Sequence, residues 1–279
     1  MNCTWTDKEI EEYKGDDIII ATGVPGSKWS GVFKAMSLVP SLINNTCGEG
    51  LGYGKEFLDT RKGKIKRYGW HYGKYWGPHH DQGHGFDDLR SMTKKEILVE
   101  FMKPYENWGM VKIIKSHWFA YDLDYLIELF PHAKVVACYL PDDYAFKWWH
   151  KLGGWDIKYP PYDWYINDTK MKEEIRISNA LLLKFFVEKG INLKAFPNFE
   201  AVYEELGYEV TYEMLARRRN EGDRNPEDDD KGKTNRRIPT AVLGIFNGSR
   251  DEKTNKYIQE LMQYEKNYYS VFDYLKEVE

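Results

Sequence analysis

A turn that is rich in glycine and carries one lysine follows the first apolar run of the chain. Residues 18–23 read Ile-Ile-Ile-Ala-Thr-Gly, and residues 24–31 continue Val-Pro-Gly-Ser-Lys-Trp-Ser-Gly. Glycines let a backbone curl until several N–H groups point inward, and a helix that begins there adds the positive end of its dipole. The segment therefore predicts a loop that binds an anion such as a phosphate.

The spacing of this loop differs from the nucleotide-hydrolase form G-x-x-x-x-G-K-[ST]. Counted from Gly23, the sixth, seventh and eighth positions are Lys28, Trp29 and Ser30, so the lysine stands one place early. On this local string alone, an anion loop and an ordinary turn both remain open.

The elements that must position these residues are short β-branched runs followed by helical patterns. Strand, loop and helix in repetition predict an α/β fold of three layers, with a central, mainly parallel sheet flanked by helices. The predicted strands are 17–22, 111–116 and 134–140, and the predicted helices are 87–105, 123–130, 142–151, 171–189 and 252–279.

Ligands of such sheets bind at the carboxyl ends of the strands. The loops near Gly23, His117 and Pro141 each follow one of the three predicted strands. We therefore expect these three loops to converge and their side chains to act together.

Length and composition favour one large domain over residues 1–279, because 279 residues with 42% hydrophobic content can bury a sizeable core. Residues 61–86 form an aromatic and histidine-rich insertion, and the charged stretch 217–237 predicts a mobile loop. The formal net charge of −4 excludes a globally cationic nucleic-acid binder but says nothing about a local basic channel. Alternating basic and aromatic residues over 61–76 also fit a groove for single-stranded nucleic acid, but this signal is weak in an acidic chain, and a nucleic-acid partner is not expected.

The start of the chain lacks the basic and apolar regions of a signal peptide, and no run approaches about 20 apolar residues, the length that spans a bilayer. A cytoplasmic protein without a membrane partner is expected. Cys3, Cys47 and Cys138 have no metal-ligand spacing and indicate no disulfide framework.

Three segments, taken in order, resemble the P-loop sulfotransferases, especially the cytosolic type that uses 3′-phosphoadenosine 5′-phosphosulfate. In the first, residues 24–30 stand against the family pattern aromatic-Pro-Lys-Ser-Gly-Thr-Thr. Pro25, Ser27 and Ser30 fit, whereas Gly26 takes the place of the lysine and Lys28 that of the glycine.

The second segment, residues 113–118, reads Ile-Ile-Lys-Ser-His-Trp and resembles the family's Lys-Thr-His-Leu-Pro at the end of a strand. The histidine of that motif is the catalytic base. The resemblance therefore implies that His117 takes the proton of the acceptor, while Lys28 and Lys115 neutralise developing charge.

The third segment, residues 135–150, resembles Val-Cys-Arg-Asn-Pro-x-Asp-Val-Ala-x-Ser-aromatic-aromatic-His. The family's arginine and serine grip the 3′-phosphate of the donor, and here Tyr139 and Lys147 replace them, so Lys147 could supply the charge. A weaker match at 218–224 resembles the family's C-terminal loop over the same phosphate and brings in Arg218 and Arg219.

The resemblance implies transfer of a sulfuryl group from 3′-phosphoadenosine 5′-phosphosulfate to a hydroxyl or amine of a small-molecule or carbohydrate acceptor, without a metal. The catalytic candidates are His117, Lys28 and Lys115. The donor-binding candidates are Pro25, Gly26, Ser27, Lys28, Trp29, Ser30, Tyr139, Lys147, Arg218 and Arg219.

Two alternatives stay open. A P-loop kinase acting on a small molecule or nucleoside would share the strand, loop and helix, but the chain lacks G-K-[ST] and an acidic strand end for magnesium. A binding protein that kept the fold and lost catalysis would explain Tyr139 in place of the arginine.

A metal site is a separate question. The segment 79–84 reads His-His-Asp-Gln-Gly-His, with His71 nearby, and either binds a divalent ion or forms a polar loop near the acceptor.

Overall fold

A computed structural model gives the fold. It describes residues 5–36, 56–59, 64–67, 74–75, 86, 88–102, 105, 111–157, 162–196, 199–208 and 242–248.

Eight strands lie within the described residues. The strands are β1 Ile18–Gly23, β2 Glu56–Asp59, β3 Lys64–Arg67, β4 Lys74–Tyr75, β5 Lys112–Lys115, β6 Lys134–Tyr139, β7 Leu193–Ala195 and β8 Val242–Asn247. Strands β1, β5 and β6 correspond to the three predicted strands. All six residues of β1 are buried, as expected for a central strand rich in β-branched residues.

The central sheet is mixed. Its order is β5-β1-β6-β8-β7, and the two-residue β4 adds to the outer side of β5. Strand β1 pairs in parallel with β5 on one side and β6 on the other, as in Ile19↔Ile113 and Ile19↔Lys134. Strands β8 and β7 follow in antiparallel pairings. The predicted α/β fold is confirmed with a sheet that is parallel in part, at β1, β5 and β6, and mixed as a whole.

Helices cover both faces of the sheet. The helices within the described residues are α1 Asp7–Glu12, α2 Trp29–Met36, α3 Lys94–Met102, α4 Phe119–Leu129, α5 Asp142–Lys151, α6 Asp168–Glu188 and α7 Phe199–Glu205. A larger hydrophobic core lies between one face of the sheet and α3, α4, α5 and α6, and a smaller core lies between the other face and α2 and α7.

The single helix predicted over 87–105 is wrong in its bounds. The structure has a short 3₁₀ helix at Leu89–Ser91 and a separate α3 that begins at Lys94. Thr93 and Glu96 explain the break, because each side chain bonds the backbone N–H of the other in a capping box that starts a new helix. Leu89, Ile97 and Phe101 are all buried, so both helices pack an apolar side against the larger core.

The insertion predicted over 61–86 contains β3 and β4 among its described residues. Strand β3 pairs antiparallel with β2, with Phe57↔Lys66 in register, so part of the segment belongs to a separate two-stranded sheet. The charged stretch 217–237 and the helix predicted over 252–279 lie outside the described residues.

The sheet brings the predicted loops to one edge, because β1, β5 and β6 run parallel and end on the same side. Among the helices in the described part of the chain, none has the length and apolar character to cross a membrane.

Candidate functional site

The loop between β1 and α2, residues 23–30, is hereafter the anion loop. Strand β1 ends at Gly23 and α2 begins at Trp29, which is the predicted strand, turn and helix. The backbone N–H of Ser27 donates to the Val24 carbonyl at 3.0 Å and closes the turn. The N–H groups in the first turn of a helix have no acceptor within that helix, so this end of α2 is suited to an anion.

Gly26 packs the anion loop directly onto the backbone of α5. Its φ is +83°, and a Cβ at this position would lie 1.9 Å from the Ala145 carbonyl oxygen and 2.9 Å from the Trp149 nitrogen. No side chain fits between the loop and the helix. The lysine of the resembling motif therefore has no room at position 26.

Ser27 is buried beneath the turn with 1% of its surface exposed. Its hydroxyl has no hydrogen-bond partner among the described residues. A buried hydroxyl without a partner costs about 1–3 kcal/mol, so this group is one that a ligand at the loop would satisfy. Pro25 is buried beside it, and Ser30 lies in the first turn of α2.

Lys28 occupies a backbone conformation that normally belongs to glycine. Its φ of 66° makes it the one non-glycine residue with a positive φ in the described part of the chain. Its ammonium nitrogen lies 3.9 Å from the centroid of the Trp148 ring on α5. A positive φ costs a residue with a Cβ about 1–2 kcal/mol, and such strain persists at functional sites.

Two substitutions of Lys28 separate the effect of its strained backbone from the effect of its ammonium charge. Lys28→Gly relieves the strain and Lys28→Ala keeps it, while both remove the ammonium group. We expect the glycine variant to be the more stable by about 1 kcal/mol, or roughly 2–4 °C in thermal unfolding. Both variants should lose anion affinity equally in a calorimetric titration. Equal melting temperatures would contradict the strained backbone at this position.

Lys115 brings a second cation to the base of the anion loop. It is the last residue of β5, it is 1% exposed, and its nitrogen lies 5.0 Å from the centroid of the Trp29 ring. Trp29 in turn meets Phe33 edge to face on α2. A cation over an indole ring is attracted to it, so this contact ties the end of β5 to the start of α2.

His117 lies two residues beyond β5 and is 9% exposed. Its carbonyl oxygen accepts a 3.5 Å hydrogen bond from the Thr22 hydroxyl near the end of β1. The predicted position, after a strand next to β1, is confirmed. Because water is largely kept from the ring, charges that develop there are screened less than in solution.

Three aromatic residues surround the His117 ring at centroid distances of 5.4 to 6.1 Å. We call Trp118, Tyr162 and Trp164 the aromatic cluster. The indole N–H of Trp118 donates to the Tyr162 hydroxyl at 2.9 Å, and the Tyr162 and Trp164 rings stack at 4.8 Å. Sequence reasoning missed the last two residues, since they lie more than 40 positions from His117.

The buried carboxylate of Glu174 is linked to the aromatic cluster through Tyr121. The Tyr121 hydroxyl donates to Glu174 on α6 at 2.8 Å, and the Tyr121 ring lies 5.2 Å from that of Trp118. Burial raises the pKa of the Glu174 carboxyl, while the hydrogen bonds from Tyr121 and Ser178 oppose that rise. The network joins α6 to α4, the helix that follows His117.

The third loop, after β6, is held by Asn179 of α6. Its amide N–H groups donate to the Leu140 carbonyl at 2.8 Å and to the Asp142 carboxylate at 2.7 Å. Together with the contact of Gly26 on α5 and the bond between Thr22 and His117, this places the three predicted loops side by side.

The two residues that replace the phosphate-gripping pair lie apart from each other. Tyr139 is 5% exposed and belongs to the larger core. Lys147 is exposed on α5, with its nitrogen 5.5 Å from the Tyr144 ring. Arg218 and Arg219 lie outside the described residues.

One basic residue of this region was missed from the sequence. The Lys151 nitrogen lies 4.2 Å from the centroid of the Trp148 ring, the same ring that Lys28 contacts. The sequence does carry a signal for this contact. Lys151 follows Trp148 by three residues on one helix, and side chains at this spacing lie next to each other on the helix surface.

Cys138 is the free cysteine within the described residues, and it is buried. Burial raises the pKa of the Cys138 thiol well above its usual value, so the thiol stays neutral. The described residues contain no group of three or more side chains placed to hold a metal ion. His71, His79, His80, Asp81 and His84 lie outside them.

The described residues form an α/β domain with a mixed sheet, and no family follows from its comparison with known proteins. Searches against protein-family models, curated proteins and solved structures found no match for this chain.

Proposed function

We propose that the chain is a P-loop sulfotransferase that moves a sulfuryl group from 3′-phosphoadenosine 5′-phosphosulfate to a hydroxyl or amine acceptor. The observation that carries the proposal is the pairing of the anion loop with a Lys-x-His sequence at the end of the adjacent parallel strand. The three-layer P-loop fold is part of the same proposal, and the cores on both faces of the sheet support it.

The anion loop suits the phosphosulfate end of the donor. Gly26 lets the backbone lie flat on α5, and the buried Ser27 hydroxyl can donate to an oxygen of the ligand. Lys28 and Lys115 supply positive charge on two sides of the loop. Charge-assisted hydrogen bonds of this kind are about twice as strong as neutral ones, so the site fits an anionic group.

In the proposed reaction the acceptor oxygen forms a bond to sulfur as the bond from sulfur to the 5′-phosphate oxygen breaks. His117 takes the acceptor proton at a ring nitrogen, and the electron pair of the broken bond leaves with the nucleotide. Lys28 and Lys115 stabilise the negative charge on the oxygens around sulfur and on the leaving oxygen. The aromatic cluster beside His117 offers flat surfaces for the acceptor.

One observation favours a second candidate, a protein that binds a nucleotide without catalysis. Tyr139 is buried in the core and Lys147 is exposed, so neither of them places a fixed charge deep in the site for a 3′-phosphate. If the donor is 3′-phosphoadenosine 5′-phosphosulfate, the charge must come from Lys147 or from Arg217, Arg218 and Arg219.

A titration with two nucleotides separates these functions. We expect 3′-phosphoadenosine 5′-phosphate to bind and ATP with magnesium to bind at least ten times more weakly, as followed by calorimetry. Incubation with the sulfated donor should then release 3′-phosphoadenosine 5′-phosphate in the presence of a phenol or sugar acceptor. Tight binding without release would favour the binding protein, and preference for ATP would favour a kinase.

A further inference from the structure

Trp148 on α5 is in contact with two lysines. The Lys28 nitrogen lies 3.9 Å from the centroid of its ring, and the Lys151 nitrogen lies 4.2 Å from the same centroid. The two nitrogens are therefore within about 8 Å of each other, a separation at which like charges repel. The attraction of each cation to the indole ring offsets that repulsion.

The position of Trp148 is set by the rest of α5. Ala145 and Trp149 are buried on the side of the helix that meets Gly26, so the rotation of the helix against the anion loop is fixed. Trp148 itself is half-buried at the edge of the larger core. Its ring contacts the side chain of Lys28 in the anion loop.

The contact with the Trp148 ring restricts the side chain of Lys28. Lys28 stands at a positive φ in the turn, where the backbone holds the start of its side chain in an uncommon direction. Contact with an indole ring limits the rotamers of the long side chain, and so reduces the entropy lost when the ammonium group meets a ligand.

We propose that Trp148 is a positioning residue for Lys28 and that Lys151 adds a third cation to the anion site, beside Lys28 and Lys115, so that the site selects ligands with at least two adjacent negative charges. This inference rests on the proposed function for the identity of the natural ligand, a phosphosulfate. The selectivity itself concerns the loop and α5 alone.

The test uses inorganic pyrophosphate and inorganic phosphate as probes of the full-length protein, with calorimetry at low and high salt. We expect wild type to bind pyrophosphate at least ten times more tightly than phosphate. Trp148→Leu and Lys151→Ala should each weaken pyrophosphate binding about fivefold, and Lys151→Ala should make that binding less sensitive to salt.

Two further variants show whether these losses come from the ring and its cations. Trp148→Phe keeps an aromatic face and should retain affinity to within about twofold of wild type. Lys172→Ala is the matched control, because Lys172 of α6 also lies over an aromatic ring of α5, with its nitrogen 4.7 Å from the centroid of the Phe146 ring. The pyrophosphate affinity of this variant should be unchanged. The double variant W148L/K151A should lose less than the product of the single losses, because both residues act through one contact.

Unchanged pyrophosphate affinity in Trp148→Leu, or equal losses in Lys151→Ala and Lys172→Ala, would overturn the inference, as would a wild-type protein that does not distinguish pyrophosphate from phosphate. Lys151 is exposed, so its replacement tests the role of this cation even if Trp148→Leu fails to fold. Wild type that binds pyrophosphate in this way but shows no affinity for 3′-phosphoadenosine 5′-phosphate would uphold the inference and contradict the proposed function.

Discussion

Replacing His117 by alanine is expected to lower turnover about 10²–10⁴-fold, the usual contribution of a general base. The affinity for 3′-phosphoadenosine 5′-phosphate should stay within about twofold of wild type, because a base acts on the acceptor in the transition state and not on the bound nucleotide. Steady-state rates with saturating acceptor and a calorimetric titration measure the two effects separately.

His117→Asn keeps a polar side chain in contact with the aromatic cluster and should be as inactive as the alanine variant, which separates loss of the base from loss of packing. His132→Ala is the matched control. His132 is exposed, pairs with Asp16 at 2.8 Å, and precedes β6 at the opposite edge of the sheet. Equal turnover in the His117 and His132 variants would remove His117 from the proposed reaction.

The central strands and one helix of the site could be predicted because local signals determine them. Strand β1 is buried at every position, and it begins with three consecutive isoleucines, a β-branched run typical of a central strand. Helix α5 has both of its predicted ends, Asp142 and Lys151. Pro141 favours a start there, and Gly153, with a φ of +139°, follows the end.

Strand β8 shows what local patterns leave out. Val242–Asn247 is an apolar run, but its partner β6 lies about a hundred residues earlier in the chain and runs in the opposite direction. Neither the partner nor the direction follows from residues within the run, because both depend on where the intervening chain returns to the sheet. The prediction of a mainly parallel sheet therefore did not include the antiparallel strands β8 and β7.

At the candidate site, the sequence indicated which loops meet, but it did not indicate why glycine stands at position 26 and lysine at position 28. Against the resembling motif, the lysine and the glycine have changed places. The structure gives the physical reason for the glycine, since position 26 has no room for a side chain. Position 28 has a positive φ, which favours glycine, and nothing in the structure explains the lysine there. Backbone conformation and contact with a helix more than a hundred residues away decide the glycine at position 26, and neither can be read from the loop itself.

Replacing Gly26 by alanine is expected to have the largest effect on stability of any single change at the site. The added Cβ would lie 1.9 Å from the carbonyl oxygen of Ala145, and a backbone atom within α5 cannot move away as a side-chain tip can. Overpacking costs about 1–3 kcal/mol and often more when backbone must shift, and the positive φ adds about 1–2 kcal/mol. We expect a loss of about 3–5 kcal/mol in chemical denaturation, together with loss of pyrophosphate binding.

Gly207→Ala isolates the part of this loss that comes from the backbone angle. Gly207 has a φ of +76°, and an added Cβ would meet the Asn247 side-chain nitrogen at 3.2 Å, an atom that can give way. Its alanine variant should therefore lose only about 1–2 kcal/mol and keep its affinity for pyrophosphate. If Gly26→Ala proved no more harmful than Gly207→Ala, the anion loop could not rest on the backbone of α5 as described. Lys28 would then have no fixed place beside Trp148, and the charge arrangement proposed for phosphosulfate binding would lose its structural basis.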